Sequence, residues 1–139
     1  MQPRINIITL GTHDLARATH FYENVLGLPK VDFDGDISFF SLSGTWLALY
    51  PWEHLAQDAQ TNAKSSGFRG VTLAHNVASP EEVTTLLETA CKGGASLVKE
   101  GQETDWGGFS GYFADFDGHL WEVAHNPFFW PGPKDAPDK

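Results

Sequence analysis

Gly111-Tyr112-Phe113-Ala114-Asp115-Phe116-Asp117-Gly118-His119-Leu120-Trp121-Glu122-Val123 is the stretch whose reading decides the fold. Apolar and aromatic residues flank Asp115-Phe116-Asp117-Gly118, which predicts two strands, Phe109 to Ala114 and His119 to Ala124, joined by a tight turn. Asp115 and Asp117 are explained by turn chemistry: a short carboxylate can accept from a backbone N–H two residues on. Side chains alternate along a strand, so Leu120, Glu122 and Ala124 share one face while His119 and His125 point to the other.

Upstream of this hairpin, Gly101 to Gly108 reads as an aromatic, glycine-rich loop and Ser96 to Lys99 as a short strand. Before that, Ser79-Pro80-Glu81-Glu82 is a capping box with proline at the first helical position. Val83, Leu86, Leu87 and Ala90 form the buried stripe of that helix, and Gly93-Gly94 ends it. Val71 to Val77 is a strand. The order is β-α-β-β-β.

The same order occurs earlier. Ile5 to Thr12 predicts a strand, and Asp14 caps a helix with Leu15, Ala18, Tyr22 and Val25 on its buried face. Gly27 and Pro29 stop it. Val31-Asp32-Phe33, a turn at Asp34-Gly35-Asp36, and Ile37 to Leu42 predict a hairpin, followed by a strand from Trp46 to Tyr50. Residues 51–67 are polar and read as a linker with one helical turn at His54 to Asp58. Repetition is the decisive observation. It predicts an α+β domain over residues 1–127, with tandem β-α-β-β-β modules at about 4–52 and 68–127, and a loosely ordered Pro-rich tail at 128–139. One helix cannot cover both faces of a sheet, so two such mixed sheets are expected to curve into a cup with the helices outside. A hollow of that kind suits a small ligand.

Composition narrows the partners. Eighteen acidic residues against nine basic ones give a formal charge of −9, which repels nucleic acid and anionic membrane surfaces and favours a cationic ligand. Cys91 is the only cysteine, so no internal disulfide is expected, which suits the cytoplasm. It falls near a helix C-terminus, where the dipole disfavours a thiolate. The opening residues lack the apolar run of a signal peptide, and no stretch is long and apolar enough to span a bilayer.

Two motifs carry a family resemblance. Thr12-His13-Asp14-Leu15 followed by Phe21-Tyr22-Glu23-Asn24-Val25-Leu26-Gly27-Leu28 resembles the opening of vicinal oxygen chelate proteins, the glyoxalase, bleomycin-resistance and dioxygenase group. The hairpin from Gly111 to Val123 resembles their closing motif, with Phe116 where proline is usual. The resemblance implies the cup fold but leaves the activity open, since this fold hosts isomerases, dioxygenases, thiol transferases and drug-sequestering proteins.

Metal-dependent relatives place ligands at four strand positions facing the cup. By resemblance these are Ile7, Ala48, Thr72 and Glu122. Isoleucine and alanine have no lone pair to offer, and catalytic sites need about three protein ligands. No metal site and no cofactor are therefore expected. The histidines His13, His20, His54, His75, His119 and His125 do not converge on Glu122 in this register, and His75 is expected to be a hydrogen-bonded structural residue on the helix side.

Glu122, facing an apolar hollow, is the candidate catalytic residue; the plain alternative is a carboxylate satisfied by water or a tyrosine hydroxyl. Trp106, in the loop around Asp105, could lay its indole over a flat ligand, or could simply pack beside a turn. Asn76, Tyr112, Tyr50, Thr72 and Thr9 are candidate wall residues, and for each alone packing or strand pairing is the plainer role. The function expected is metal-independent binding, or turnover, of a small apolar or aromatic molecule. Resemblance to bleomycin-resistance proteins implies a homodimer. The alternatives are a divalent-metal enzyme resembling lactoylglutathione lyase or an extradiol dioxygenase, and a non-catalytic interaction domain.

Overall fold

A computed structural model describes residues 1–135. It is an α+β protein whose contacts divide it into two units, one over Met1–Gly67 with the segment from Pro133, the other over Phe68–Gly132. Residues 136–139 of the expected tail lie outside the described residues.

In the first unit, β1 (Ile7–Thr12), β2 (Ser38–Ser41) and β3 (Trp46–Pro51) form a sheet in the order β1-β3-β2. β1 runs parallel to β3, and β2 runs antiparallel to it. Asp14 starts α1 (Leu15–His20) by accepting from the Arg17 N–H at 3.0 Å. The helix continues through one wider π turn, Phe21–Val25. Ala18, Phe21 and Tyr22 are its buried residues, and the Thr19 hydroxyl meets that of Ser38 at 2.8 Å. That contact identifies the sheet face beneath α1: Ser38 and Phe40 on β2, Leu47 and Leu49 on β3, Ile8 and Leu10 on β1.

One expectation fails here and another falls short. Residues 31–33 make no strand; only an isolated bridge, Lys30 with Phe40, remains. Three aspartates in five residues, Asp32 to Asp36, disfavour a longer ladder; the Val31 N–H donates to the Phe39 carbonyl at 2.8 Å, the Ser41 N–H to the Pro29 carbonyl at 3.0 Å, and the rings of Phe33 and Phe39 meet edge-on. The helical turn expected at His54 to Asp58 is present and starts earlier, as the two-turn helix α2 (Trp52–Asp58). Its anchor is tertiary: the indole of Trp52 lies where a side chain on Gly11 would be, and its Nε1–H donates to the Ala63 carbonyl at 2.7 Å.

In the second unit, β4 (Leu73–Asn76), β5 (Ser96–Glu103), β6 (Phe109–Ala114) and β7 (Leu120–His125) form a sheet in the order β4-β7-β6-β5. β4 is parallel to β7, and the other pairs are antiparallel. α3 (Pro80–Lys92) begins with the expected box: the Ser79 hydroxyl accepts from the Glu82 N–H, and the Glu82 carboxylate accepts from the Ala78 N–H. α3 packs on β5, β6 and β7, burying Val83, Leu87 and Ala90. β5 runs well past Lys99, where a loop was expected, because the ring of Phe109 covers Gly101 and the strand continues through irregular pairing. The Asp115 carboxylate accepts from the N–H groups of Asp117 and His119, which fixes the β6–β7 turn.

Candidate functional site

Gly111 decides which face of the second sheet is covered. A Cβ there would lie 2.6 Å from Leu87 Cδ1, 2.7 Å from the Lys99 carbonyl and 2.9 Å from the Gly101 nitrogen. Gly111 therefore faces α3 at close range, as do Phe113 and Val123, exposed by only 2% and 0%. Alternation then sends Ser110, Tyr112 and Ala114 on β6 and Leu120, Glu122 and Ala124 on β7 to the face away from α3.

On that face Tyr112 and Glu122 are direct cross-strand partners, and the Tyr112 hydroxyl donates to Oε2 of Glu122 at 3.2 Å. Burial raises the Tyr112 phenol above the usual 10.0, and the neighbouring carboxylate, by its charge and by accepting the hydrogen bond, raises it further. At neutral pH the phenol thus keeps its proton and remains a donor. Among the described residues no cationic side chain pairs with Glu122, and Tyr112 is its one hydrogen-bond partner. On the other side of Glu122 the register places Ala74 of β4, a small and exposed residue.

The candidates fall into separate groups. Asn76 pairs with Ala124, on the same face as Ala74 and Glu122, and is half-buried. Thr72 lies just before β4 and is exposed. Trp106 is half exposed, its ring lying where a Gly108 side chain would stand, and no hydrogen bond or ring contact joins it to Tyr112 or Glu122. Thr9 and Tyr50 belong to the first unit, on the face away from α1; Tyr50 lies 5.8 Å, ring to ring, from His54. His75 departs from expectation: it is exposed, and its imidazole makes no hydrogen bond among the described residues. It lies on edge strand β4, beyond the strands on which α3 packs.

Phe128 and Phe129, assigned to the tail in the sequence, were missed as surface features. The Asn126 side chain accepts from both of their N–H groups, and the Phe128 ring lies 3.1 Å from where a Gly107 Cβ would be. The signal available was Asn126-Pro127, a turn initiator.

The two units repeat one register. Three strands across, the first unit has Thr9, Ala48 and Phe39; the second has Ala74, Glu122 and Tyr112. The aromatic position carries a hydroxyl in the unit where its neighbour is a carboxylate.

A model of the glyoxalase/bleomycin resistance protein/dioxygenase superfamily matches residues 4–123. The chain belongs to this superfamily. It is 26% identical over 123 residues to the fosfomycin resistance protein FosX of Listeria monocytogenes serovar 1/2a (strain ATCC BAA-679 / EGD-e), covering 84% of each chain. The crystal structure of a glyoxalase-related enzyme from Fulvimarina pelagi superposes with a TM-score of 0.85 at 34% identity, covering 94% of this chain and 93% of that one. Lactoylglutathione lyase from Agrobacterium tumefaciens shares the fold, with a TM-score of 0.67 at 21% identity over 90% and 95% of the two chains.

The superfamily's metal-dependent members raise the question of a divalent ion. The four positions carried over from them hold Ile7, Ala48, Thr72 and Glu122, which offer one carboxylate and one hydroxyl. Among the described residues no three His, Cys, Asp or Glu side chains are grouped to hold an ion. These donors do not fit a transition metal, which needs about three protein ligands to compete with water.

Proposed function

We propose that this superfamily member binds a small, largely apolar or aromatic molecule without a metal, on the sheet face that carries Glu122 and Tyr112. The observation behind this reading is the Tyr112–Glu122 hydrogen bond on the face turned away from α3. The hydrogen bond orients a single carboxylate on a face that also carries Leu120, Ala74, Ala114 and Ala124, with Ser110 and Asn76 as its other polar residues. A few placed polar groups in an apolar wall are the usual composition of a small-molecule site. In this reading Asn76, Thr72 and Trp106 extend the wall of the second unit, and Thr9 and Tyr50 belong to the matching face of the first. The protein works as a cytoplasmic homodimer; low cysteine content and the habits of bleomycin-resistance proteins support this.

The 34% identity to a glyoxalase-related enzyme favours a second reading, turnover by a divalent-metal enzyme resembling lactoylglutathione lyase. Elemental analysis with a thermal-shift series of Ni, Zn, Mn and Fe(II) separates the two. The proposal expects substoichiometric metal and no ion-specific stabilisation. About one ion per chain, with a rise in Tm that follows ion concentration, would overturn it. Native mass spectrometry of the purified protein reports oligomeric state and any retained ligand together.

A further inference from the structure

We infer that the molecule bound beside Glu122 carries a cationic nitrogen donor, an ammonium or amidinium on an apolar body, and that Tyr112 is a positioning residue for the carboxylate that receives it. This rests on the small-molecule reading above and adds the ligand's charge. Glu122 is half-buried, and among the described residues no cationic side chain pairs with it. The carboxylate has no counter-charge and its second oxygen is not sealed from solvent, so a cation arriving there gains a charge-assisted hydrogen bond to an acceptor already held in place. Tyr112 occupies Oε2 and leaves Oε1 without a protein partner. The raised phenol keeps its proton, so this occupation persists at neutral pH.

Space and charge agree with the same ligand. Ala74 is the register partner of Glu122 on one side; it is exposed and projects no further than a methyl group. An aryl or alkyl body would lie over the Ala74 methyl with its nitrogen directed at Oε1. An anion in this place would meet an unneutralised carboxylate on a chain of net charge −9.

The test uses the intact chain and three probes of one shape: benzamidine, benzyl alcohol and benzoate. Binding is followed by amide chemical-shift perturbation around Ala74, Tyr112, Glu122 and Ala124. Benzamidine is expected to bind roughly tenfold more tightly than benzyl alcohol, with benzoate weakest. Glu122→Gln should abolish that preference by weakening benzamidine roughly tenfold more than benzyl alcohol. Tyr112→Phe should reduce the benzamidine-to-benzyl-alcohol preference several-fold, a change in the ratio of two probes that a merely structural tyrosine would not produce. Equal binding of benzamidine and benzyl alcohol, unaffected by Glu122→Gln, would overturn this inference and leave the apolar-ligand reading standing. No perturbation at these residues by any probe up to about 10 mM, the range of the weakest specific binding, would overturn both.

Discussion

Substituting Gly111 by alanine tests the geometry on which the site rests. Two of the three atoms that the new methyl would meet are backbone: the Lys99 carbonyl at 2.7 Å and the Gly101 nitrogen at 2.9 Å. They belong to β5, whose register is irregular between Lys99 and Gln102, so the strand rises over Gly111 and cannot rotate away as a side chain would. The third, Leu87 Cδ1 at 2.6 Å, can move only within a core where Leu87 is 4% exposed. Overpacking costs about 1–3 kcal/mol, and backbone contacts put this case near about 3. Alanine restricts the unfolded chain more than glycine does, returning about 0.5–1 kcal/mol. The net loss is about 2 kcal/mol, or about 6 °C in Tm for a chain of this size. A double-mutant cycle with Leu87→Ala, read by urea unfolding, sharpens the assay. Leu87→Ala alone should cost about 3 kcal/mol through its cavity, and the pair should cost less than the sum because one clash is gone. A Gly111→Ala Tm within about 1 °C of the parent, with strict additivity, would refute the placement of α3. The assignment of Tyr112 and Glu122 to the face away from α3 would then fail with it.

Phenolate absorbance, taken as the difference from Tyr112→Phe, should show Tyr112 losing its proton above pH 10. The folded state holds this proton more tightly than the unfolded chain, so the associated stability is complete below about pH 10 and is lost as pH rises through the folded-state value. Glu122→Gln removes the charge and the charged acceptor but not the burial, so the titration should move down towards the ordinary value without reaching it. Ser79→Ala should cost about 1 kcal/mol in chemical denaturation by removing the N-cap of α3, with the lost N–H partner at Glu82. Ala48→Glu places a carboxylate at the first unit's equivalent of Glu122, where Ala48 is 0% exposed and its partner Phe39 has no hydroxyl. It should cost at least about 3 kcal/mol, and adding Phe39→Tyr should recover about 1 kcal/mol or more. Neutral behaviour of Ala48→Glu would show that the two registers are not equivalent.

Local signals made most of the fold legible. The capping box before Pro80 and the turn at Asp115 to Gly118 satisfy their own backbone groups within a few residues, so sequence alone locates them. Elements that depend on distant partners were legible only in part, as a single helical turn at His54 to Asp58 and a short strand at Ser96 to Lys99. α2 needs Trp52 against Gly11 and Ala63, and the extension of β5 needs the Phe109 ring over Gly101. His75 was misread because alternation gives a face but not whether a helix reaches that far across the sheet. Glu122 and Tyr112 each stood out as candidates, ten residues apart. Their pairing follows from the register of a four-residue turn, which composition and periodicity do not state.

The comparison of the two registers bears on how recognition would work. A half-buried carboxylate weakens a sheet unless something offsets its lost hydration. At Ala48 the first unit avoids the cost altogether, with hydrocarbon at the central position and Phe39 beside it. At Glu122 the second unit accepts the charge and offsets it in part with one phenol, on one oxygen, from one strand. Partial compensation differs in consequence from full compensation. An arginine in place of Tyr112 would neutralise the charge and leave little for a ligand to gain. A phenylalanine would leave the carboxylate free to turn towards water. A tyrosine fixes its direction while leaving its charge uncancelled, so a ligand's donor would find an acceptor already oriented. Discrimination at this face should then depend on whether a ligand carries such a donor more than on the size of its apolar body. A missing methylene costs a pocket only about 1–3 kcal/mol, whereas a site built to hydrogen-bond a donor rejects the analogue lacking it far more strongly.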